Sequence, residues 1–407
     1  MKYPKIKLSE LGKVITGDTP KTDDPENYNG DIPFVTPADL TNQGVKYINE
    51  TTVKVTEKGI KNGKLLPKNS VLVCCIGSLG KMGIADADLI TNQQINSIIF
   101  NEEKIFPKYG YYACSLLKPE LEKIAPSTTV KIVKKSLFEE MEIPVPPMTV
   151  QKNIAAVLDV AQSLIKKRKE SIAKLDELVR AKFSQMFGDP INNPKKWEVK
   201  KLKNISTKIL SGTTPKGGSE VYIEQGITFL RSQNVWKNRL DLDDVVYIDK
   251  ETHIKMKKSS LEYRDILMTK TGRINTENSS LGRAAIFLGK NDSANINGHV
   301  YLIRLQKDII NEFILFILTT NEYREYIRSV CVGGIDKRQI NKEHLEEFPI
   351  ISPPIELQVQ FTKLLTHVEK LKSEMRINLN ELEDNFQSLF QQAFKGELVI
   401  KDEIPML

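Results

Sequence analysis

The sequence predicts an α+β protein in which two mixed α/β globules in tandem duplication are separated by two long helices forming an antiparallel coiled coil. Three observations predict it. The loop string TGDTPKTD at Thr16 returns as SGTTPKGG at Ser211. Short apolar, β-prone runs bounded by Gly, Asn and Lys surround each copy. A heptad pattern follows a Pro-Pro pair at the end of each copy.

The duplication keeps its register along the chain. A shift of 195 places Gly17 on Gly212, Thr19 on Thr214, Pro20 on Pro215 and Lys21 on Lys216. The same shift lays IPFV (Ile32–Val35) on ITFL (Ile227–Leu230) and VLVCCIG (Val71–Gly77) on ILMTKTG (Ile266–Gly272). Seven further residues in the second copy bring LGKMGI (Leu79–Ile84) onto LGRAAI (Leu281–Ile286) at 202, and Asn92 then faces Asn297. At the end of each copy PPMTVQ (Pro146–Gln151) overlays PPIELQ (Pro353–Gln358) at 207. A repeat of roughly 200 residues is too long for a solenoid of small units.

Within each copy, SVLVCCIG and INSIIF read as strands, and YGYYACSLL and NEFILFILTT as helices. After the Pro-Pro pair a helix starts. In the first copy one seam takes Leu158, Ile165, Ile172, Val179 and Met186, the other Ala161, Arg168, Leu175 and Lys182. In the second, Leu365, Lys372, Leu379, Phe386 and Ala393 alternate with Val368, Met375, Leu382 and Leu389. About 38 helical residues span ~57 Å, longer than a small domain is wide, which favours pairing of the two helices over packing of each on its own globule. The charged seam residues Arg168, Lys182 and Lys372 are either register devices or side chains that snorkel to water.

Composition bounds the function. The 407 residues are 40% hydrophobic and 27% charged with a net charge of +7, an ordinary globular balance in which any nucleic-acid surface is a local patch. No apolar run is long enough for a membrane span, and the opening residues carry no signal-peptide pattern. Cys74, Cys75, Cys114 and Cys331 lack Cys-x-x-Cys spacing and the four histidines are scattered, which argues for reduced cytoplasmic thiols over a zinc site or disulfides.

Catalytic signatures are missing. GSLGK (Gly77–Lys81) is too short for a phosphate-binding P-loop, and no Asn-Pro-Pro-aromatic string for base methylation occurs. Glu102 and Lys104 have a spacing nucleases use on metal, but it is common in any Lys/Glu-rich chain, and His299 reads better as a loop residue than a catalytic one.

Taken together, the Gly-x-Thr-Pro loops, the Leu-Gly-Lys/Arg strings, the PPMTVQ/PPIELQ helix entries and the endings QMFGDP and QQAFKGEL resemble the specificity subunit of type I restriction–modification enzymes. The resemblance covers essentially the whole chain. It implies target-recognition domains at 1–147 and 189–352, spacer helices at 148–188 and 353–396, and a tail at 397–407. It further implies a non-catalytic, cofactor-free subunit on double-stranded DNA, each domain reading half of a bipartite site. The helices would set the spacer and dock two methyltransferase (modification) subunits, with restriction subunits added in the full complex. A fused methyltransferase or nuclease and a DNA-free coiled-coil scaffold are the alternatives.

Side chains suited to phosphates and base edges then become the candidates. In the first globule these are Thr19, Lys21, Ser78, Lys81, Asn92, Gln93 and Gln94. In the second they are Thr214, Lys216, Arg231, Gln233, Asn234, Arg273, Asn275, Arg283, Asn297, His299, Lys337 and Arg338. For each, a solvated loop residue is the equal alternative. Gly17 and Gly212 are expected to serve turn geometry. The first globule contains 19 lysines and no arginine, the second nine arginines, so Arg–guanine pairing is expected only in the second half-site.

Overall fold

The computed structural model describes residues 3–42, 44–61, 63–125, 130–273, 279–334 and 337–398. The chain divides into two compact units, one of residues 1–172 with 374–407, the other of residues 173–373.

The first unit is built on a five-stranded sheet in the order Gly12–Thr16, Ile95–Phe100, Val71–Cys74, Met82–Ala85, Tyr47–Ile48. A smaller sheet places Tyr28–Val35 between Lys54–Val55 and Ile90–Thr91, antiparallel to the former and parallel to the latter. Val71, Leu72, Val73 and Cys74 are all buried, because helix Pro107–Ser115 covers one face of the sheet and a second apolar cluster fills the other.

The second unit repeats the plan. Its main sheet runs Ser206–Ser211, Val300–Leu305, Ile266–Thr269, Ala284–Ile286, and its smaller one sets Ile227–Leu230 between Val246–Ile248 and Ala294–Ile296 with the same parallel and antiparallel sense. It adds the hairpin Val235–Trp236/Arg239–Leu240 and a three-stranded sheet of Thr271–Gly272, Lys337–Gln339 and Val332–Gly334.

The sequence register survives in single hydrogen bonds. Cys74 N–H donates to Lys81 O at 2.8 Å, and Thr269 N–H to Arg283 O at 2.9 Å. Asn92 N–H donates to Val35 O and Asn297 N–H to Leu230 O, both at 3.0 Å. Cys75 N–H reaches Gln94 O, and Lys270 N–H reaches His299 O, both at 2.8 Å. The shifts of 195, 202 and 205 read from the sequence are therefore shifts between equivalent backbone positions.

Two long helices, Met148–Phe187 and Ile355–Lys395, each give one part to each unit. In the first unit Ile154, Ala155 and Leu158 share a core with Ala393 and Phe394, while Lys169 pairs with Glu383 at 2.7 Å. In the second, Lys372 pairs with Asp176 at 2.6 Å, and Phe183 and Phe187 pack on Phe361. Numbers rise on one helix as they fall on the other, so within each unit the helix segments run antiparallel. Leu158, Ile165, Val179 and Val368 are buried, and Ile172, Leu175, Leu365, Met375, Leu379, Leu382, Phe386 and Leu389 are partly buried.

The seam bends away from its expected course near the end of the first helix. Phe183 and Phe187 are buried where Lys182 is only partly so, because here the helix packs on Phe361 of the other long helix and also closes the globule core at Phe313 and Phe316. Burying such a ring contributes about 1.5–3 kcal/mol, enough to turn the buried stripe toward it. Each helix start is locked by the glutamine of its Pro-Pro string. Gln151 Nε2–H donates to Pro146 O at 2.9 Å and Gln358 Nε2–H to Pro353 O at 2.8 Å, both side chains being buried.

Candidate nucleic-acid interface

In each unit the loops singled out in the sequence gather at one end of the main sheet. In the first unit Gly17 N–H donates to Ile95 O and Asp18 N–H to Thr91 O, seating the Thr-Pro loop on the 91–95 turn. Gly77 N–H donates to Lys131 O at 2.9 Å, adding the 130–133 segment. Gly17 is required by close approach: a Cβ there would lie 2.1 Å from Asn92 O. At Gly212 it would lie 2.2 Å from Ile296 O. Neither has the positive φ expected of a turn glycine; two backbones meet at van der Waals distance and leave no room for a side chain.

Thr19 Oγ1–H donates to Gln93 Oε1 at 2.5 Å, joining the Thr-Pro loop to the 92–94 turn. Lys21, Ser78 and Gln93 are exposed beside it. Tyr28 Oη–H donates to Pro20 O and Asn27 Nδ2–H to Lys21 O, bracing the loop from below. Lys81 is partly buried, with Nζ 3.3 Å from Pro37 O. Asn92 is buried and its amide bonds Gln94, so it shapes the turn that presents Gln93.

In the second unit Thr214, Lys216, Arg273, His299 and Lys337 are exposed, with Asn297 Oδ1 accepting from His299 N–H. Asn234 is buried, its Oδ1 accepting from Arg231 N–H and its Nδ2 donating to Asp241 O and Asp244 O. Arg231 pairs with Asp244 at 3.2 Å and Gln233 Nε2–H donates to the same carboxylate at 2.6 Å. These three residues hold their loop around Asp244. Arg338 Nη1–H donates to Cys331 O at 3.2 Å. Asn275 lies outside the described residues.

Several basic side chains at the same sheet end were not picked out from the sequence. Lys61 pairs with Asp18 at 2.6 Å and Lys64 Nζ–H donates to Thr16 O at 2.7 Å, both against the Thr-Pro loop. Lys131 is exposed next to Gly77 and corresponds, at the shift of 207, to Arg338; that correspondence was the signal available. Arg283, which was a sequence candidate, lies over the Trp236 ring at 3.9 Å, and burial followed by the charge of Arg324 lowers its affinity for a proton.

Glu102 accepts from Asn69, while Lys104 donates to Glu10 O and Gln151 binds its carbonyl, so this pair does not converge on a site. Among the described residues, no group of three or more His, Cys, Asp or Glu is placed to hold a metal ion. The four cysteines are buried free thiols; burial pushes Cys75 up to about 12. Among the described residues no helix is long and apolar enough to cross a membrane.

Known proteins share this plan. The family described as type I restriction modification DNA specificity domain matches residues 2–175 and again 194–383. The specificity subunit of the type I restriction enzyme MjaIX from Methanocaldococcus jannaschii is 28% identical over 97% of this chain and 93% of its own length. The EcoKI specificity subunit of Escherichia coli is 21% identical over 96% and 88%. The crystal structure of the type I restriction-modification S subunit from M. genitalium superposes with a TM-score of 0.56 at 17% identity, covering 97% of this chain and 96% of that one. A structure solved for assembly and conformational transition of the type I R-M system gives 0.59 at 17% identity, covering 98% and 100%. With two matched copies, each falling on a globule of the same plan, the chain belongs to the type I restriction–modification DNA specificity family and serves as a DNA-specificity subunit.

Proposed function

We propose that this specificity subunit is itself non-catalytic and that each unit reads one half of a bipartite duplex site. One observation carries the reading: the two units hold equivalent loops on the same backbone hydrogen bonds but arm them differently. Lys81 stands where the second unit has Arg283, Gln94 where it has His299, and Lys131 where it has Arg338. A constant frame with changed side chains is what reading two different half-sequences requires, since phosphate contacts position and base contacts specify.

In this reading the helix pair sets the spacing between half-sites and docks two modification (methyltransferase) subunits, with restriction subunits joining in the cytoplasm. Four residues inserted after Lys169 lengthen the helix by ~6 Å, about two base-pair rises of ~3.4 Å. Duplexes selected from a library of randomised spacer length should keep both half-sequences and gain one or two base pairs of spacer. An unchanged spacer distribution would contradict the helix-set spacing. Methyl transfer from S-adenosylmethionine by the chain alone would contradict the non-catalytic assignment.

A further inference from the structure

The second unit carries a cationic hairpin that has no counterpart among the described residues of the first. Trp236 and Arg239 face each other across Val235–Trp236/Arg239–Leu240, and the Lys237–Asn238 turn is tied to the sheet edge by Asn238 N–H donating to Ala284 O at 2.8 Å. Two guanidiniums stack on the Trp236 ring, Arg283 at 3.9 Å and Arg239 at 5.6 Å. Lys237 is exposed along its stem, yet partial burial of its ammonium end, then the charges of Arg180 and Arg324, hold it below the ordinary lysine value. Three acids stand nearby: Asp176 binds Lys372, Asp241 stands 3.8 Å from Arg239, and Glu322 acts on Lys237 together with Asp176 but less strongly than the cations and burial. Lys237 and Arg239 are exposed, and Lys237 has no ion pair among the described residues.

In the first unit the corresponding sheet-edge bridge is Thr41 to Met82, and the following loop packs down, with Tyr111 Oη–H donating to Gly44 O at 2.6 Å. A cavity of about 480 Å³ lies there, and the lysine on its wall, Lys169, pairs with Glu383.

Like charges gathered at one turn oppose each other unless an anion joins them. Stacking on Trp236 restricts the rotamers of both arginines, so less order is lost when they engage an anion. We infer that the Trp236 hairpin clamps a backbone phosphate of duplex DNA beside the half-site read by the second unit. The inference rests on the DNA-specificity reading and adds to it a contact that carries affinity without sequence.

The chain has two tryptophans, so Trp197→Phe leaves Trp236 as sole emitter. The full chain with that change is titrated with a selected site duplex and with a random-sequence duplex over a range of salt. Trp236 emission should change saturably with both duplexes. Adding Lys237→Ala and Arg239→Ala should reduce the slope of log affinity against log salt by about one, as expected for one phosphate, with the selected half-sequences unchanged. An unchanged slope with silent Trp236 emission, while the chain still binds its site, would overturn the clamp and leave the specificity reading standing. Relaxed bases in the second half-site would make these residues base readers, and weakened binding of a modification subunit at unchanged salt slope would make the hairpin a protein contact; either overturns the proposal. A chain that binds the two duplexes equally would fail the underlying reading instead.

Discussion

Lys372 Nζ lies 2.6 Å from Asp176 Oδ1 across the helix pair of the second unit, with the lysine side chain 6% exposed and the aspartate 45% exposed. A lysine at a seam position is a register device when its charge is answered at one level only. Glu369, one turn earlier on the same helix, completes the site at 2.7 Å.

The two sides of this pair should respond unequally to mutation. Asp176→Ala removes a charge from beside a buried ammonium and should cost about 1–2 kcal/mol, between exposed and buried pairs. Lys372→Met replaces the ammonium with an apolar side chain and should be neutral or stabilising. Denaturation midpoints of the two variants check this; equal losses would mean that the pair is not buried in the way described.

Gly17→Ala and Gly212→Ala should each disturb one unit. The new methyl group would meet backbone oxygens at 2.1 and 2.2 Å, and backbone cannot rotate aside. A loss of about 1–3 kcal/mol is expected from overpacking. Amide hydrogen exchange should show it around 91–95 for the first variant and 296–300 for the second. Tolerance of both changes without altered exchange would refute the close approach.

Much of the frame was legible in the sequence, and the individual contacts were much less so. The repeat and helices could be read because Gly, Pro-Pro and heptad positions record backbone requirements that recur at fixed spacing. That Asn92, Asn234 and Arg231 tie their own loops could not be read from the sequence, because the same amides and guanidinium also suit base edges. Asn234 bonds three backbone groups and is buried, while Gln93 at a similar turn is exposed. The Arg283–Trp236 stack joins residues 47 positions apart, beyond any local pattern. Phe183 and Phe187 were missed because a single heptad assumes one packing partner, whereas this helix has two.

Asp292 provides a pH test in the second unit. Hydrogen bonds from Lys257 and Ser260, then His253, hold its carboxyl below the usual carboxylate range. A depressed folded value adds stability that is complete above the unfolded value of ~3.9 and is lost as pH falls toward the folded value. Because Asp292 is half exposed, Asp292→Asn should cost about 1 kcal/mol or less at neutral pH. The gap between wild type and variant should narrow below about pH 4, as followed by denaturation at stepped pH. A gap constant down to pH 2 would contradict the assignment.

The central claim is one half-site per unit, and selection from a fully randomised duplex library tests it most directly. Wild type should recover two short sequences separated by unspecified bases of fixed number. Gln93→Ala, at an exposed position of the first unit, should relax one half and leave the other intact. Arg273→Ala, exposed in the second unit, should relax only the other half, each with a loss of about 1–3 kcal/mol in base discrimination. A single contiguous sequence from wild type, or both halves relaxing together in either variant, would contradict the account.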